Sequence, residues 1–218
     1  MISVNNVFKK YSGHKVLNGV TVDIDKDFTV ILGKSGSGKT SLLNIIGALD
    51  DDYSGDIIVD GVSLKKMSVK EKANYRNKKI GFVFQDFQVE LSYTVFENVE
   101  LPLLLSKKNK DERREIVSEA LRKVGLLENH YKQCAYLSGG EVQRVAIARA
   151  IVNNPDYILA DEPTGNLDTD NGNIVIDIFK DLVKQGKKII MVTHNLEHIK
   201  LADCVINITD GKVTDNDY

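Results

Sequence analysis

The chain has 218 residues, of which 42% are hydrophobic and 28% charged, and its formal net charge is −2. This composition is typical of a globular protein with its own core and excludes a low-complexity chain. A net charge this close to zero disfavours a protein that binds nucleic acid or an anionic membrane surface.

Cysteine spacing and hydropathy narrow the possible class of protein further. Cys134 and Cys204 are too far apart in the sequence to form a metal or redox motif, so we expect two reduced thiols in a cytosolic protein. No stretch approaches the roughly 20 apolar residues of a transmembrane helix, and the first residues carry no apolar run of signal-peptide length. Action at a membrane would then require docking onto another chain.

The first part of the chain is predicted to be mostly strands. Residues 2–8, 16–24 and 28–32 are rich in β-branched and aromatic residues and are separated by turn residues. A short apolar helix is predicted at 42–49. A further strand is predicted at 57–59, where Asp60-Gly61 ends it.

A glycine-rich loop lies between the third strand and the first helix. It fits the phosphate-loop pattern G-x-x-x-x-G-K-[ST] and reads Gly33-Lys34-Ser35-Gly36-Ser37-Gly38-Lys39-Thr40. Its glycines allow backbone N–H groups to surround phosphate oxygens, and the following helix directs its N-terminal dipole at the same anion. In this pattern Lys39 reaches the β- and γ-phosphates, and the Thr40 hydroxyl ligates Mg²⁺. The sequence therefore predicts ATP binding.

Helical periodicity dominates the middle of the chain, from about residue 94 to 153. It follows a strand predicted at 80–84, which is apolar throughout, as a strand buried on both faces should be. Residues 111–124 carry a strongly charged face, which predicts an exposed helix. Another helix is predicted at 138–153 and ends before Pro155.

The helix at 138–153 opens on a second glycine turn, Leu137-Ser138-Gly139-Gly140-Glu141-Val142-Gln143-Arg144. A helix that begins at two glycines and a serine can bind an anion. A helix N-cap alone also explains Ser138. Since an enzyme with one phosphate loop has no need of a second phosphate site, this turn makes sense if it faces the nucleotide of another subunit.

An apolar strand predicted at 157–160 ends in two carboxylates, Asp161 and Glu162. Asp161 is placed to hold the Mg²⁺ shell, and Glu162 to polarise the attacking water. Strands and helices then alternate, with a helix at 172–184, a strand at 189–193 and a terminal hairpin around Asp210-Gly211. This alternation predicts a mainly parallel sheet flanked by helices, interrupted by the helical stretch as an inserted lobe.

These motifs and their order resemble those of the ATP-binding-cassette (ABC) ATPases over essentially the whole chain, and residues 137–143 resemble the family's signature motif. The resemblance implies that Tyr11 stacks on adenine, that Gln85 senses Mg²⁺ and joins two lobes, and that His194 contacts the γ-phosphate. It also implies a loop that contacts the dimer partner, Asn166-Leu167-Asp168.

The resemblance implies an α/β fold: a RecA-like P-loop NTPase core with an N-terminal antiparallel β-subdomain and an inserted α-helical subdomain. It assigns residues 1–85 and 154–218 to the nucleotide-binding core lobe and residues 86–153 to the helical signature lobe. It also implies a head-to-tail homodimer around two Mg-ATP. Each site would combine one subunit's residues 33–41, Asp161, Glu162 and His194 with the other subunit's Ser138, Gly139, Gly140 and Glu141.

Three segments are similar to the macrolide-export, lipoprotein-release and antimicrobial-peptide-resistance group: residues 161–168, residues 43–47, and residues 95–103 after the expected glutamine loop. The sequence departs from that group at four places, the first of which is Asp25-Lys26-Asp27-Phe28, where the Gly-Glu usually found before the loop strand is missing. Lys34 stands where the group often has proline, and Thr40-Ser41 replaces the common Ser-Thr, which should preserve Mg²⁺ ligation. Residues 89–91 replace a frequent Leu-Leu-Pro near the expected membrane-partner surface, which affects the expected identity of the partner.

Three functional classes follow from the resemblance. The favoured one is a transport motor that drives a separately encoded membrane permease from the cytoplasmic face of the membrane. The second is a regulatory ATPase of the cell-division type, which signals through a membrane partner without transport. The third, a soluble ABC protein that acts on DNA or ribosomes, is disfavoured by the net charge and the lack of coiled coils, zinc modules or a second cassette.

Overall fold

The computed structural model describes the backbone of residues 1–217 and the side chains of residues 1–214. In chain order the elements are β1 (Ile2–Tyr11), β2 (His14–Ile24), β3 (Phe28–Leu32), α1 (Lys39–Ile46), β4 (Ser54–Val59), β5 (Val62–Ser63), α2 (Val69–Lys78), β6 (Ile80–Val83), α3 (Val95–Glu100), α4 (Lys110–Lys123), α5 (Gly139–Ile151), β7 (Tyr157–Asp161), α6 (Thr169–Lys184), β8 (Lys188–Thr193), β9 (Cys204–Thr209) and β10 (Lys212–Asp217). These elements form two compact units, one of Met1–Arg76 with the chain from Lys188 onward, and one of Asn77–Lys187. Within the described residues, no helix has the length and apolar character that crossing a membrane requires.

The first unit contains an antiparallel sheet in the order β2-β1-β4-β5. It also contains strands in the order β10-β9-β3-β8, in which β3 runs parallel to both β8 and β9. All five residues of β3 are buried, which explains its uninterrupted apolar sequence. Leu32 at the end of β3 pairs with Thr193 at the end of β8, so the loops after both strands leave the same edge of the sheet.

The second unit contains the parallel pair β6 and β7 and most of the helices. Val83 pairs with Ala160, so the segments that carry Gln85 and Asp161 leave the pair at the same end. Helix α5 packs against β6 and against α3, α4 and α6. Its buried residues are mostly small or β-branched and include Val145, Ala146 and Ala148.

The predicted mixture of an antiparallel β region, a parallel sheet and a helical stretch is confirmed, and the differences lie at element ends and in polar segments. Helix α1 begins at Lys39 rather than at residue 42, because it starts directly at the glycine loop. Helix α2 was not predicted, since its sequence is strongly polar and Tyr75 is its one buried residue. Both cysteines are free and buried. The predicted lobe boundaries at 85 and 153 do not coincide with those of the two units and stay a prediction.

Candidate functional site

The glycine loop at residues 33–40 is held by its own glycines. Gly38 is the N-cap residue of α1 and has φ 102°, and Gly36 has φ 78°, both in the left-handed region that favours glycine. A Cβ on Gly38 would lie 2.5 Å from the Val16 carbonyl oxygen, and one on Gly33 would lie 2.3 Å from the Ile208 carbonyl oxygen. The predicted loop is therefore a conformation that only glycine satisfies at these positions.

Polar groups are arranged around this loop as an anion site requires. The buried Lys39 Nζ donates to the Gly33 and Lys34 carbonyl oxygens at 2.8 and 2.9 Å, while Ser35, Gly36 and Thr40 are exposed. The Ser37 hydroxyl is buried and has no hydrogen-bond partner among the described residues. Helix α1 has no side-chain cap and no acidic residue in its first turn, which suits a helix start that meets a phosphate.

The C-terminal hairpin supports the same loop. Gly211 N donates to the Ser37 carbonyl oxygen at 3.2 Å, and Asn18 N donates to the Gly211 carbonyl oxygen at 2.8 Å. Gly211 has φ 71°, and a Cβ there would lie 2.4 Å from the Val16 carbonyl oxygen. The turn between β9 and β10 thus contacts both β2 and the glycine loop.

Tyr11 lies at the end of β1 with 46% of its surface exposed. Its phenol donates to Asp50 Oδ2 at 2.7 Å and has the Ser41 side chain within hydrogen-bonding reach. The Lys9 Nζ lies 4.6 Å from the ring centroid, is only 3% exposed and donates to Asp50 Oδ1 at 2.9 Å. Burial raises the pKa of Tyr11, and the hydrogen bond to Asp50 raises it further. The ring is therefore an anchored flat surface beside the start of α1.

His194 directly follows β8 and is exposed, at the same sheet edge as the glycine loop. Asn195 next to it caps the following 3₁₀ turn, Leu196–Leu201, by accepting from Glu197 N. The first unit therefore brings together three sequence-predicted features: the loop, Tyr11 and His194.

In the second unit, β7 ends in the buried Asp161, and Glu162 follows with φ 44°. This left-handed conformation is rare for glutamate, and the following proline disfavours it further. Such a conformation costs about 1–3 kcal/mol and persists where neighbouring contacts impose it. Gly165 N donates to the Glu162 carbonyl oxygen at 3.0 Å and closes a tight turn after β7.

Residues 166–168, which are predicted to contact the dimer partner, lie against the segment that follows β6. Asn166 Nδ2 donates to the Gln85 carbonyl oxygen at 3.1 Å. Leu167 N donates to the Thr164 carbonyl oxygen, and Asp168 caps α6 by accepting from Asn171 N. Gln85, Glu162 and residues 166–168 are thus neighbours in the second unit.

The signature turn at the start of α5 is a complete capping box. Ser138 Oγ accepts from Glu141 N at 3.3 Å, and Glu141 Oε2 accepts from Ser138 N at 2.8 Å and from the Ser138 hydroxyl at 2.9 Å. The hydrogen bond from the Ser138 backbone holds the pKa of Glu141 below its usual value. The cap leaves the N–H groups of Gly139 and Gly140 for another acceptor.

The two signature glycines differ in what surrounds them. A Cβ on Gly140 would lie 2.0 Å from Asn171 Oδ1, so packing within the chain explains this glycine. Gly139 is exposed and a Cβ there would have nothing within 4 Å. Nothing in the part of the chain that the structure describes requires a glycine at position 139.

Sequence reasoning missed three contributors: Gln143, Asn171 and the Lys9–Asp50 pair. Gln143 Nε2 donates to the Pro163 carbonyl oxygen at 2.7 Å, directly after Glu162. Its available signal was a polar residue at a buried position between Val142 and Val145. The packing of Asn171 against Gly140 and the pairing of Lys9 with Asp50 join residues that are distant in sequence, so they leave no local pattern.

No classical metal cluster accompanies these residues. Within the described part of the chain, no group of three or more His, Cys, Asp or Glu side chains could hold a metal ion. The lack of such a group is compatible with Mg²⁺ bound together with a nucleotide. In that case Mg²⁺ takes one or two ligands from the protein and its other ligands from phosphates and water.

Comparison with known proteins gives a consistent result. A family model described as ABC transporter matches residues 17–165. An uncharacterized ABC transporter ATP-binding protein of Thermotoga maritima is 42% identical over 91% of this chain and 86% of its own length. The lipoprotein-releasing system ATP-binding protein LolD of Buchnera aphidicola is 43% identical over 96% of this chain and 92% of its own length. The macrolide export ATP-binding/permease protein MacB of Campylobacter jejuni is 42% identical over 98% of this chain, which spans only 33% of MacB.

Solved structures agree with these sequences. The dimeric structure of MJ0796, described as a bacterial ABC transporter cassette, has a TM-score of 0.92 and 38% identity, and covers 100% of this chain and 98% of its own. A dimeric post-hydrolysis state of MJ0796 bound to ADP and Pi has a TM-score of 0.91 and 37% identity, with the same coverage.

Proposed function

This chain belongs to the ABC transporter family as an ATP-binding subunit with ATPase activity, and we propose that it works as a head-to-tail homodimer that drives a membrane permease. One observation carries the proposal: two helices of this chain begin at glycine turns open to an acceptor, α1 at Gly38 and α5 at Gly139. One bound triphosphate needs only the first of them. A second copy of the chain gives the other a purpose.

On the side of the glycine loop, we propose that residues 33–41 enclose the triphosphate of ATP. Lys39 offsets charge on the β- and γ-phosphates, and Tyr11 stacks on the base. The buried, unpartnered Ser37 hydroxyl and the uncapped start of α1 support this role. His194 contacts the γ-phosphate from the end of β8.

For catalysis, we propose that Glu162 orients and polarises the attacking water. Thr40, Gln85 and Asp161 are the residues that would hold Mg²⁺, which when bound neutralises charge on the phosphates. The buried carboxylate of Asp161 at the end of β7 and the constrained backbone of Glu162 support these roles. Hydrolysis then depends mainly on positioning and electrostatics.

For assembly, we propose that Ser138, Gly139, Gly140 and Glu141 of one copy meet the nucleotide of the other, and that Asn166, Leu167 and Asp168 contact the partner. The open surface at Gly139 supports this arrangement, as does the dimeric MJ0796 cassette. The permease is proposed as a separate chain, as for LolD, which is named as an ATP-binding protein of a releasing system, whereas MacB is named as both ATP-binding and permease protein. The dimer would act at the cytoplasmic face of the membrane and export a peptide, drug or lipoprotein-type substrate.

Mixing two inactive variants tests the head-to-tail site. Glu162→Gln removes the catalytic carboxylate and keeps the signature turn, whereas Gly139→Asp keeps the carboxylate and places a negative charge in that turn. Each variant alone should hydrolyse ATP at a small fraction of the wild-type rate, while their mixture forms one intact site per mixed dimer and regains activity. Failure of the mixture to exceed the sum of the separate rates, with mixed dimers verified by differently tagged copies, would contradict the proposal.

A further inference from the structure

The start of helix α5 contacts the segment that follows Glu162. The fully buried Gln143 donates from Nε2 to the Pro163 carbonyl oxygen at 2.7 Å. One turn earlier, Gly140 leaves the space that Asn171 occupies, and Asn171 is held by Asp168. The segment from Glu162 to Asn171 is therefore held at two points by the helix that carries the signature turn.

The backbone at Glu162 needs such support. Its φ of 44° is left-handed, and the residue before a proline is normally restricted to extended conformations. A conformation of this kind persists only where the surrounding structure imposes it. Two of the contacts that flank it are the Gly165 N–H bond to the Glu162 carbonyl and the Gln143 amide bond to the Pro163 carbonyl.

An amide at position 143 has no advantage for packing alone. Its neighbours on α5, Val142 and Val145, are buried and apolar. Burial of an amide is costly unless its groups are bonded, and Gln143 Oε1 has no hydrogen-bond partner among the described residues. A methionine would fill the same space without that cost, so the useful part of Gln143 is its N–H donor.

We propose that Gln143 is a positioning residue for ATP hydrolysis. Its amide fixes the Pro163 carbonyl, and through it the left-handed backbone from which the Glu162 carboxylate extends. This inference rests on the proposed role of Glu162 as the residue that orients water. It makes the helix of the signature turn a determinant of catalytic geometry in its own subunit.

Gln143→Met tests the inference, because it keeps the side-chain volume and removes the donor. We expect ATP hydrolysis by the purified full chain to lose about tenfold to hundredfold in kcat, while KM stays within about twofold. Retained binding of a non-hydrolysable ATP analogue shows that the variant is folded. Gln133→Met makes the same chemical change at an exposed position and should keep the wild-type rate.

A double variant separates positioning from a general structural role. In the Glu162→Gln background there is no carboxylate left to position, so adding Gln143→Met should not lower the residual single-turnover rate further. An unchanged kcat in Gln143→Met, or an equal additional loss in the double variant, would overturn the inference. Wild-type turnover in Glu162→Gln alone would instead refute the proposed role of Glu162.

Discussion

The two glycine turns of this chain, residues 33–40 before α1 and residues 137–141 before α5, look alike in sequence and differ in structure. The first has an uncapped helix start with no acidic residue in the first turn, whereas the second has a complete Ser138–Glu141 capping box. In the first, packing within the chain requires the glycines at 33 and 38, while in the second none of the described residues requires Gly139. The first turn is thus built for an anion by the chain itself. In the second, the capping box uses only the N–H groups of Ser138 and Glu141, and the exposed Gly139 is left open to a group from outside the chain.

The largest expected effect comes from alanine at the two signature glycines. Gly139→Ala meets no atom within 4 Å, so we expect stability within about 0.5 kcal/mol of wild type. If Gly139 meets a nucleotide, the added methyl should still lower ATPase activity about a hundredfold through misplacement of the phosphate. Thermal unfolding and steady-state ATPase assays measure the two effects.

Gly140→Ala is the matched control. Its methyl must displace Asn171, so we expect a loss of about 1–3 kcal/mol in unfolding free energy. Equal stability losses in the two variants, or full activity in Gly139→Ala, would show that the two glycines do not differ as the structure indicates.

A smaller effect is expected at Asp50, which holds the Tyr11 ring. We call this ring, the proposed stacking surface for adenine, the base platform. Asp50→Asn weakens the contacts that hold the Tyr11 phenol and the Lys9 ammonium, and leaves the glycine loop intact. If the ring stacks on adenine, the Kd for ATP should rise about threefold to tenfold, since one stacking contact is worth about 1–3 kcal/mol when fully lost. The Kd for inorganic triphosphate, which has no base, should not change.

Calorimetric titration of both ligands measures this difference. Asp23→Asn, at an exposed position of β2, is the control and should bind both ligands like wild type. A parallel loss of affinity for both ligands would mean that Asp50 supports the loop rather than the base platform.

The smallest expected effect concerns the capping box of the second turn. Because the folded pKa of Glu141 lies below its ordinary value of 4.5, its contribution to stability is present above that pH and is lost as the pH falls through the folded pKa. Glu141→Gln keeps an acceptor for Ser138 N and cannot titrate. The stability of wild type relative to this variant should therefore fall on acidification, by about 0.5–1 kcal/mol.

Chemical denaturation at neutral pH and near pH 3 measures that difference. Glu128→Gln, at an exposed position without a cap, should follow the wild-type profile. A pH-independent difference between wild type and Glu141→Gln would show that the carboxylate charge does not stabilise the start of α5.

A feature could be predicted from the sequence where the residues that determine it are close together in the chain. The glycine loop was predictable because its conformation is set within a few residues, and the apolar strand β3 because burial on both faces leaves a continuous apolar run. Gln143, Asn171 and the Lys9–Asp50 pair act across distances in sequence, 41 residues in the case of Lys9 and Asp50. Such a contact has no spacing rule, so its partners became known only from the folded chain; for Gln143 the sequence offered no more than a polar residue within an apolar helix face.

The turn at Gly211, near the end of the described chain, supports the glycine loop at residues 33–40, near its beginning. Its N–H bonds to the Ser37 carbonyl, and the Ile208 carbonyl lies against Gly33. During synthesis the loop at residues 33–40 leaves the ribosome long before this support exists. A nascent chain that stops short of residue 208 therefore carries the whole phosphate motif without the contacts that shape it, so we expect the capacity to retain ATP to arise late in translation.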